Sequence, residues 1–175
     1  MQECVIIDLE TTGLDHETDD IIEVAALKVK DGVVIDTFSS LIHREGELPE
    51  IITQLTGITS EALTACTNSP TSVMKDFYSF VGRLPMIGHN IVGFDSLFLR
   101  RYYKEYLGER LRNPLVDTLS ASYVADAFAG AEDHKLVTLA KMTGADVSHA
   151  HRALDDCMLT LKVAQAIFNP SSTGV

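Results

Sequence analysis

Asp8 and Glu10 stand two residues apart in the stretch CVIIDLETTG, residues 4–13. Side chains on a β-strand alternate between faces, so carboxylates at this spacing share one face while Ile7 and Leu9 project from the other. At a few ångströms in water two such charges repel by about 1 kcal/mol, and by several times that when partly buried. Protons, a cationic side chain or a metal ion must offset the repulsion. An edge strand with a solvated acidic face would escape this requirement, but three apolar residues precede Asp8 and a TTG turn follows Glu10. Oxygen-only ligands favour a hard cation such as Mg²⁺ or Mn²⁺ over zinc.

A metal site needs further ligands from elsewhere in the chain. Asp95, in GHNIVGFD, falls early in a helix that follows a short apolar strand, from which its carboxylate can return to the sheet end. Taken alone, it reads equally as a first-turn Asp favoured by the helix dipole. In HRALDD, His151 precedes Asp156 by five residues and a helix starts between them. That spacing lets a loop histidine and a helix carboxylate face one point. Asp155 and Asp156 point about 100° apart on the helix, so only one of them joins a given site.

The elements that must position these groups follow from periodicity. Segments 21–30 (IIEVAALKVK) and 33–43 (VVIDTFSSLIH) read as strands joined by an Asp31–Gly32 hairpin, which with CVIID makes three sequential strands. Helical spacing then takes over in SEALTA (60–65) and in PTSVMKDFYSFVGRL (70–84), where Val73, Phe77, Phe80 and Val81 form a stripe. LPMIGHN feeds the helix GFDSLFLRRYYKEYL as a βα unit of a partly parallel sheet, with Asn90 as its N-cap. PLVD (114–117) reads as a short strand, and TLSASYVADAF, KLVTLAKMTG and ALDDCMLTLKVAQAIF as helices. The last is expected to turn Leu154, Met158, Leu161, Gln165 and Phe168 toward the sheet.

With 175 residues, 46% hydrophobic and 22% charged, the composition suits one domain, expected over 1–169, with a disordered polar tail at 170–175. No apolar run reaches the roughly 20 residues of a membrane span, and the N-terminus does not read as a secretory signal; a cytoplasmic setting is the expectation. Cys4, Cys66 and Cys157 are odd in number and widely spaced, so reduced thiols are expected rather than a disulfide framework or zinc site. The net charge of −11 argues against nucleic acid as a partner, but its distribution is uneven. Thirteen of 25 acids lie in the first 50 positions, whereas Arg100, Arg101, Lys104, Arg110 and Arg112 fall within 13 residues. That run allows a local basic patch or a plain solvated face.

Asp8, Glu10, Asp95, His151 and Asp156 together resemble the DEDDh 3'→5' exonuclease family: VIIDLETTGL is similar to its first motif, GHNIVGFD to its second and HRALDD to its third. The resemblance is strongest to the branch of the DNA polymerase III epsilon proofreading subunits. It implies an α/β, RNase H-like fold with a mixed central sheet of about five strands flanked by helices. It also implies removal of nucleoside 5'-monophosphates from the 3' end of DNA, with RNA trimming as the alternative and a DNA polymerase as an expected partner. Two divalent cations, Mg²⁺ or Mn²⁺, would be held by Asp8, Glu10, Asp95 and Asp156, with Asp8 bridging them and His151 acting as general base. Thr11, Thr12, Gly13 and Leu14 would hold the terminal nucleotide. Gly57, Ile58 and Thr59 resemble the loop beside the terminal bases, although LTGITSEAL reads equally as a helix start capped by Thr59 or Ser60. His89, Asn90 and Phe94 would shape the Asp95 loop, and Asp117 with Thr118 is expected to be structural.

Rival readings fit less of the chain. A DxDxT phosphatase needs Asp where Glu10 stands and leaves the second and third motifs unexplained. DHETDD (15–20) has Asp20 where a calcium loop needs Gly and Ala26 where it needs Glu, so it reads as a solvated turn. A non-catalytic binding module of the same fold would have no use for four carboxylates and a histidine.

Overall fold

β-branched and apolar residues build three consecutive antiparallel strands in the computed structural model, which describes residues 2–148 and 150–169. They are β1 (Cys4–Thr11), β2 (Ile21–Lys30) and β3 (Val33–Leu41). The tail expected at 170–175 lies outside the described residues. Asp31 and Gly32 turn β2 into β3 at φ 51° and 82°, the left-handed pair that a tight hairpin requires and that an Asp-Gly dipeptide supplies.

Two short parallel strands, β4 (Met86–Gly88) and β5 (Leu115–Asp117), complete the expected five-stranded mixed sheet in the order β3-β2-β1-β4-β5. β4 pairs only with the start of β1, Val5 with Met86 and Ile6 with Ile87. Past Gly88 this edge of β1 has no partner strand among the described residues, just where Asp8 and Glu10 lie. The carboxyl ends of parallel strands, where loops diverge, are the usual place for a site.

The pleat of β1 divides the core. Val5, Ile7 and Leu9 pack with Val73, Phe77 and Val81 of α3 (Pro70–Val81) and with Phe98, Leu99 and Tyr102 of α4 (Asp95–Tyr102). Cys4 and Ile6 pack on the other face with Ala153, Cys157, Leu161 and Ala164 of α7 (Ala153–Phe168). Asp8 and Glu10 continue this second face, toward the start of α7. The α3 stripe is as expected; Ser69 caps its start by accepting from the Ser72 amide, and Pro70 takes the first turn, where its missing N–H costs nothing. Before it come α1 (Glu50–Thr56) and α2 (Ser60–Ala65).

Three expectations need correction. α7 does not turn Met158 and Phe168 to the sheet; they are 42% and 41% exposed, and Gln165 donates Nε2 to Gly32 O at 2.9 Å. The helix is buried on two sides, since Leu159, Val163 and Ala166 pack against Phe128, Leu139 and Ala140. Leu154 and Leu161 of the expected stripe do meet the sheet, beside the small residues Ala153, Cys157 and Ala164, so the contact face is rotated away from Met158 and Phe168. TLSASYVADAF is not one helix: α5 (Thr118–Ser122) stops, and a 3₁₀ turn at Asp126–Phe128 buries Phe128 while Tyr123 stacks on His134 at 3.8 Å. Nor does Asn90 cap α4. Asn90 adopts φ 64°, and its carbonyl accepts from the Gly93 and Phe94 amides in a separate turn; the helix begins after Phe94. The remaining helix is α6 (Leu136–Met142).

The two-sided burial of α7 predicts that Ala164→Leu, which overfills the sheet contact, lowers the unfolding free energy by about 1–3 kcal/mol. Met158→Ala, on the exposed strip, should change it by less than about 0.5 kcal/mol. Urea denaturation of both variants checks this; equal losses would contradict the observed face.

Candidate active site

Four carboxylates converge at the open edge of β1. One oxygen from each of Asp8, Glu10 and Asp156 lies within 4.8 Å of the others. Asp8 and Glu10 reach the cluster from the strand and Asp156 from the first turn of α7. Asp95, the first residue of α4 and 3% exposed, approaches from the opposite layer, and the Leu9 backbone amide hydrogen-bonds its carboxylate. Strand geometry explains that bond. Val5 donates its amide to Pro85 O at 2.9 Å, so Leu9, four residues on, presents its N–H to the same edge after β4 has ended.

Burial is the main force raising every one of these acids. It lifts Asp8 well above the ordinary range, with the charges of Asp95, Asp156, Glu10 and Glu23 adding to it. Glu10 is pushed up to about 8 by burial and then by Asp156, Glu23 and Asp95, with Arg152 opposing. Asp95 rises to about 7, burial outweighing its backbone hydrogen bonds. Asp156 also rises through burial, against the pull of the His151 amide and imidazole. A compact set of oxygen donors that resists ionisation without a cation fits a hard divalent metal.

The third motif is held by its backbone as much as by its side chains. His151 adopts φ 76°, a left-handed conformation that is uncommon for a non-glycine residue. There its amide donates to both Asp156 oxygens, at 3.3 and 3.2 Å. Its ring is exposed and makes no hydrogen bond to another described residue. Asp155 is exposed as well, so it is Asp156 of the pair that turns inward.

Glu23 was not among the sequence candidates, yet it anchors this motif. Only 2% exposed, it lies directly across from Glu10 on β2. Arg152 grips it in a fork, Nη2 to Oε1 at 2.8 Å and Nε to Oε2 at 3.3 Å, and the Ala153 amide donates to Oε2 at 3.1 Å. One buried acid thereby fixes the start of α7 against the sheet. The available signal was a single acid inside the otherwise apolar run IIEVAAL.

The expected substrate-side residues divide by what they already touch. Thr11 Oγ1 donates to Gly13 O at 2.7 Å, and Thr12 Oγ1 donates to Asp19 and accepts from the Asp20 amide, both at 2.9 Å. These hydroxyls brace the 11–20 loop. A Cβ at Gly13 would crowd the Asp19 carboxylate, which the Thr12 hydroxyl and the Asp15 amide hold in place. Leu14 is 86% exposed. Gly57 closes α1 at φ 71°, Ile58 is buried with Ile22, Leu48 and Leu63, and Thr59 caps α2 by accepting from the Ala62 amide. Phe94 is half-buried, 5.0 Å from the Phe98 ring. Asp117 is structural, as expected: its carboxylate accepts from the amides of Asn90, Val92, Leu119 and Ser120. His89 lies between Thr118 Oγ1 and His134 O.

Raised carboxyl pKa values mean that the folded chain holds protons the unfolded chain has released. Without metal, stability should therefore fall as pH climbs from the ordinary carboxylate range toward 8, the window spanned by Glu10 and Asp95. Thermal midpoints measured in EDTA should decline across that window. A divalent cation should restore them more at the alkaline end than at the acid end, and a rising profile in EDTA would contradict the assignment.

Comparison with known proteins agrees with this geometry. The family described as "Exonuclease" matches residues 5–164. The chain is 37% identical over 161 residues to the DNA polymerase III subunit epsilon of Aquifex aeolicus, covering 91% of this chain and 77% of that protein. It is 39% identical over 158 residues to the PolC-type DNA polymerase III of Lacticaseibacillus paracasei, covering 90% of this chain but 11% of that much longer protein. Among solved structures, E. coli exonuclease I in complex with a dT13 oligonucleotide aligns with a TM-score of 0.80 at 20% identity, over 98% of this chain and 42% of that one. The fold is thus the RNase H-like exonuclease fold, and the chain belongs to the exonuclease family.

Proposed function

We propose that residues 1–169 form one exonuclease domain that hydrolyses the 3'-terminal phosphodiester of DNA, releasing nucleoside 5'-monophosphates in a proofreading or repair role. The observation that carries this reading is the meeting of Asp8, Glu10 and Asp156 within 4.8 Å, with buried Asp95 beside them, inside a chain matched to the exonuclease family from residue 5 to 164. Likeness to a polymerase III epsilon subunit and to PolC-type polymerases supports DNA as substrate and a polymerase as partner.

Asp8, Glu10, Asp95 and Asp156 would hold two divalent cations, Mg²⁺ or Mn²⁺. Bound there, the cations would neutralise the acids and polarise the phosphate and the attacking water. The chain's own groups do the rest. Buried backbone fixes the carboxylates in advance, so little reorganisation accompanies the reaction. His151, exposed at the mouth and held by its amide to Asp156, takes the water proton as oxygen attacks phosphorus. The P–O3' bond breaks with its electron pair on O3', which takes a proton from solvent and leaves a new 3' hydroxyl on the shortened strand. Leu14, exposed at the end of the braced 11–20 loop, offers an apolar contact to the departing nucleotide.

The test is release of 5'-monophosphates from a 3'-labelled single-stranded DNA with Mg²⁺ or Mn²⁺, absent in EDTA and slower on a matched RNA. Asp8→Ala should abolish release; activity within about tenfold of the parent would remove Asp8 from the site. His151→Ala should slow release by about 10²–10⁴ while calorimetry still detects metal binding; loss of that binding would make His151 a ligand instead.

A further inference from the structure

Three concavities run end to end along one side of the molecule, and none is lined by the carboxylates. One, of about 570 Å³, lies between His16 and Glu17 on one side and Leu97, Arg100 and Arg101 of α4 with Lys104 just past it on the other. It shares Arg100 and Lys104 with a second of about 520 Å³. That in turn shares Glu109 and Arg110 with a third of about 590 Å³, which reaches Arg83 and Arg112. Each is lined by three cationic side chains and one acidic one.

Building on the exonuclease reading, we propose that this strip is the track for the strand upstream of the 3' end, gripping its phosphodiester backbone. Arg83, Arg100, Lys104, Arg110 and Arg112 are exposed, and no side chain among them forms an ion pair or hydrogen bond with another described residue. Their charge is free for phosphates. The chain as a whole carries −11, so a strand leaving the site is repelled by most of the surface and held here. The strip also shares an element with the site, since α4 carries Asp95 in its first turn and Leu97, Arg100 and Arg101 further on. Leu97 is two residues beyond Asp95, and an α-helical rise of 1.5 Å per residue puts Arg100 roughly 7 Å along the axis from Asp95, with Lys104 in the π-helical turn (Tyr103–Leu107) that follows α4. The opposite wall, His16 and Glu17, follows the exposed Leu14. Arg101 locks that wall to the helix by donating to the carbonyls of Glu17, at 3.0 Å, and of Asp19. A groove braced by Arg101, running along the helix that carries Asp95 and lined by unpaired cations, suits a single strand better than an acidic protein partner.

The test compares the parent with the triple variant Arg100→Ala, Lys104→Ala, Arg110→Ala by fluorescence anisotropy, using 5'-labelled oligothymidylates of about 15 and 3 nucleotides. A second triple, Lys30→Ala, Lys141→Ala, Lys162→Ala, controls for net charge. The strip variant should lose about tenfold or more in affinity for the long strand, lose under about twofold for the short one, and flatten the logarithmic salt dependence for the long strand by about 2. The control triple should match the parent. Equal loss on both lengths, loss in the control, or unchanged long-strand affinity would overturn the proposal. Unchanged DNA affinity together with lost binding of a poly-glutamate probe would reassign the strip to an acidic protein. Anisotropy reads binding without turnover. A parent that binds the long strand through the strip but releases no nucleotide would sink the exonuclease reading alone, and a parent that degrades DNA without using the strip would sink this one.

Discussion

Repulsion among buried carboxylates is the constraint on which the arrangement of this molecule depends. Asp8, Glu10, Asp95 and Asp156 meet at one end of the sheet, with Glu23 beside them. Among the described residues the one cationic side chain bonded to any of the five is Arg152, on Glu23. Such a cluster survives only because each member is anchored by structure that is stable for other reasons. β1 is a central strand in a two-faced core, α4 packs on one face and α7 on the other. The layers force together groups that would separate in an open chain, and a divalent cation resolves the conflict they create.

Acidic residues serve two ends here, and their surroundings tell them apart. Asp117 gathers four backbone amides, and Asp19 braces the loop behind the first motif; both behave as turn-formers whose charge is satisfied locally. Asp8 and Glu10 face other carboxylates instead. Glu23 lies between these classes. It is adjacent to the cluster, yet its oxygens are taken by Arg152 and the Ala153 amide, so it orients the third motif and leaves the ligands to its neighbours. This fork also offsets part of the charge opposite Glu10.

An acidic nuclease is less paradoxical in this light. Bound divalent cations would supply positive charge at the reacting phosphate, and among the described residues the arginines without an ion pair or hydrogen bond, Arg83, Arg100, Arg110 and Arg112, are gathered on one strip instead of spread over the surface. The same acidity that discourages non-specific contact elsewhere sharpens that contrast.

The chain itself determined the chemistry and the order of elements. Two acids on one face of a strand, an acid at a helix start, and a histidine five residues before another acid are local patterns, readable because strand and helix periods are fixed by backbone geometry. The DG hairpin and the α3 stripe were legible for the same reason. Tertiary structure decided what periodicity cannot carry. Which face of α7 met the sheet depended on a second partner layer, Phe128 and Leu139, far away in sequence. The turn at Asn90 depended on Asp117, 27 residues on. Glu23 acquired its role only when Arg152, 129 residues away, folded over it. Such contacts pair groups whose separation along the chain bears no relation to either period, so only the folded backbone brings them into reach.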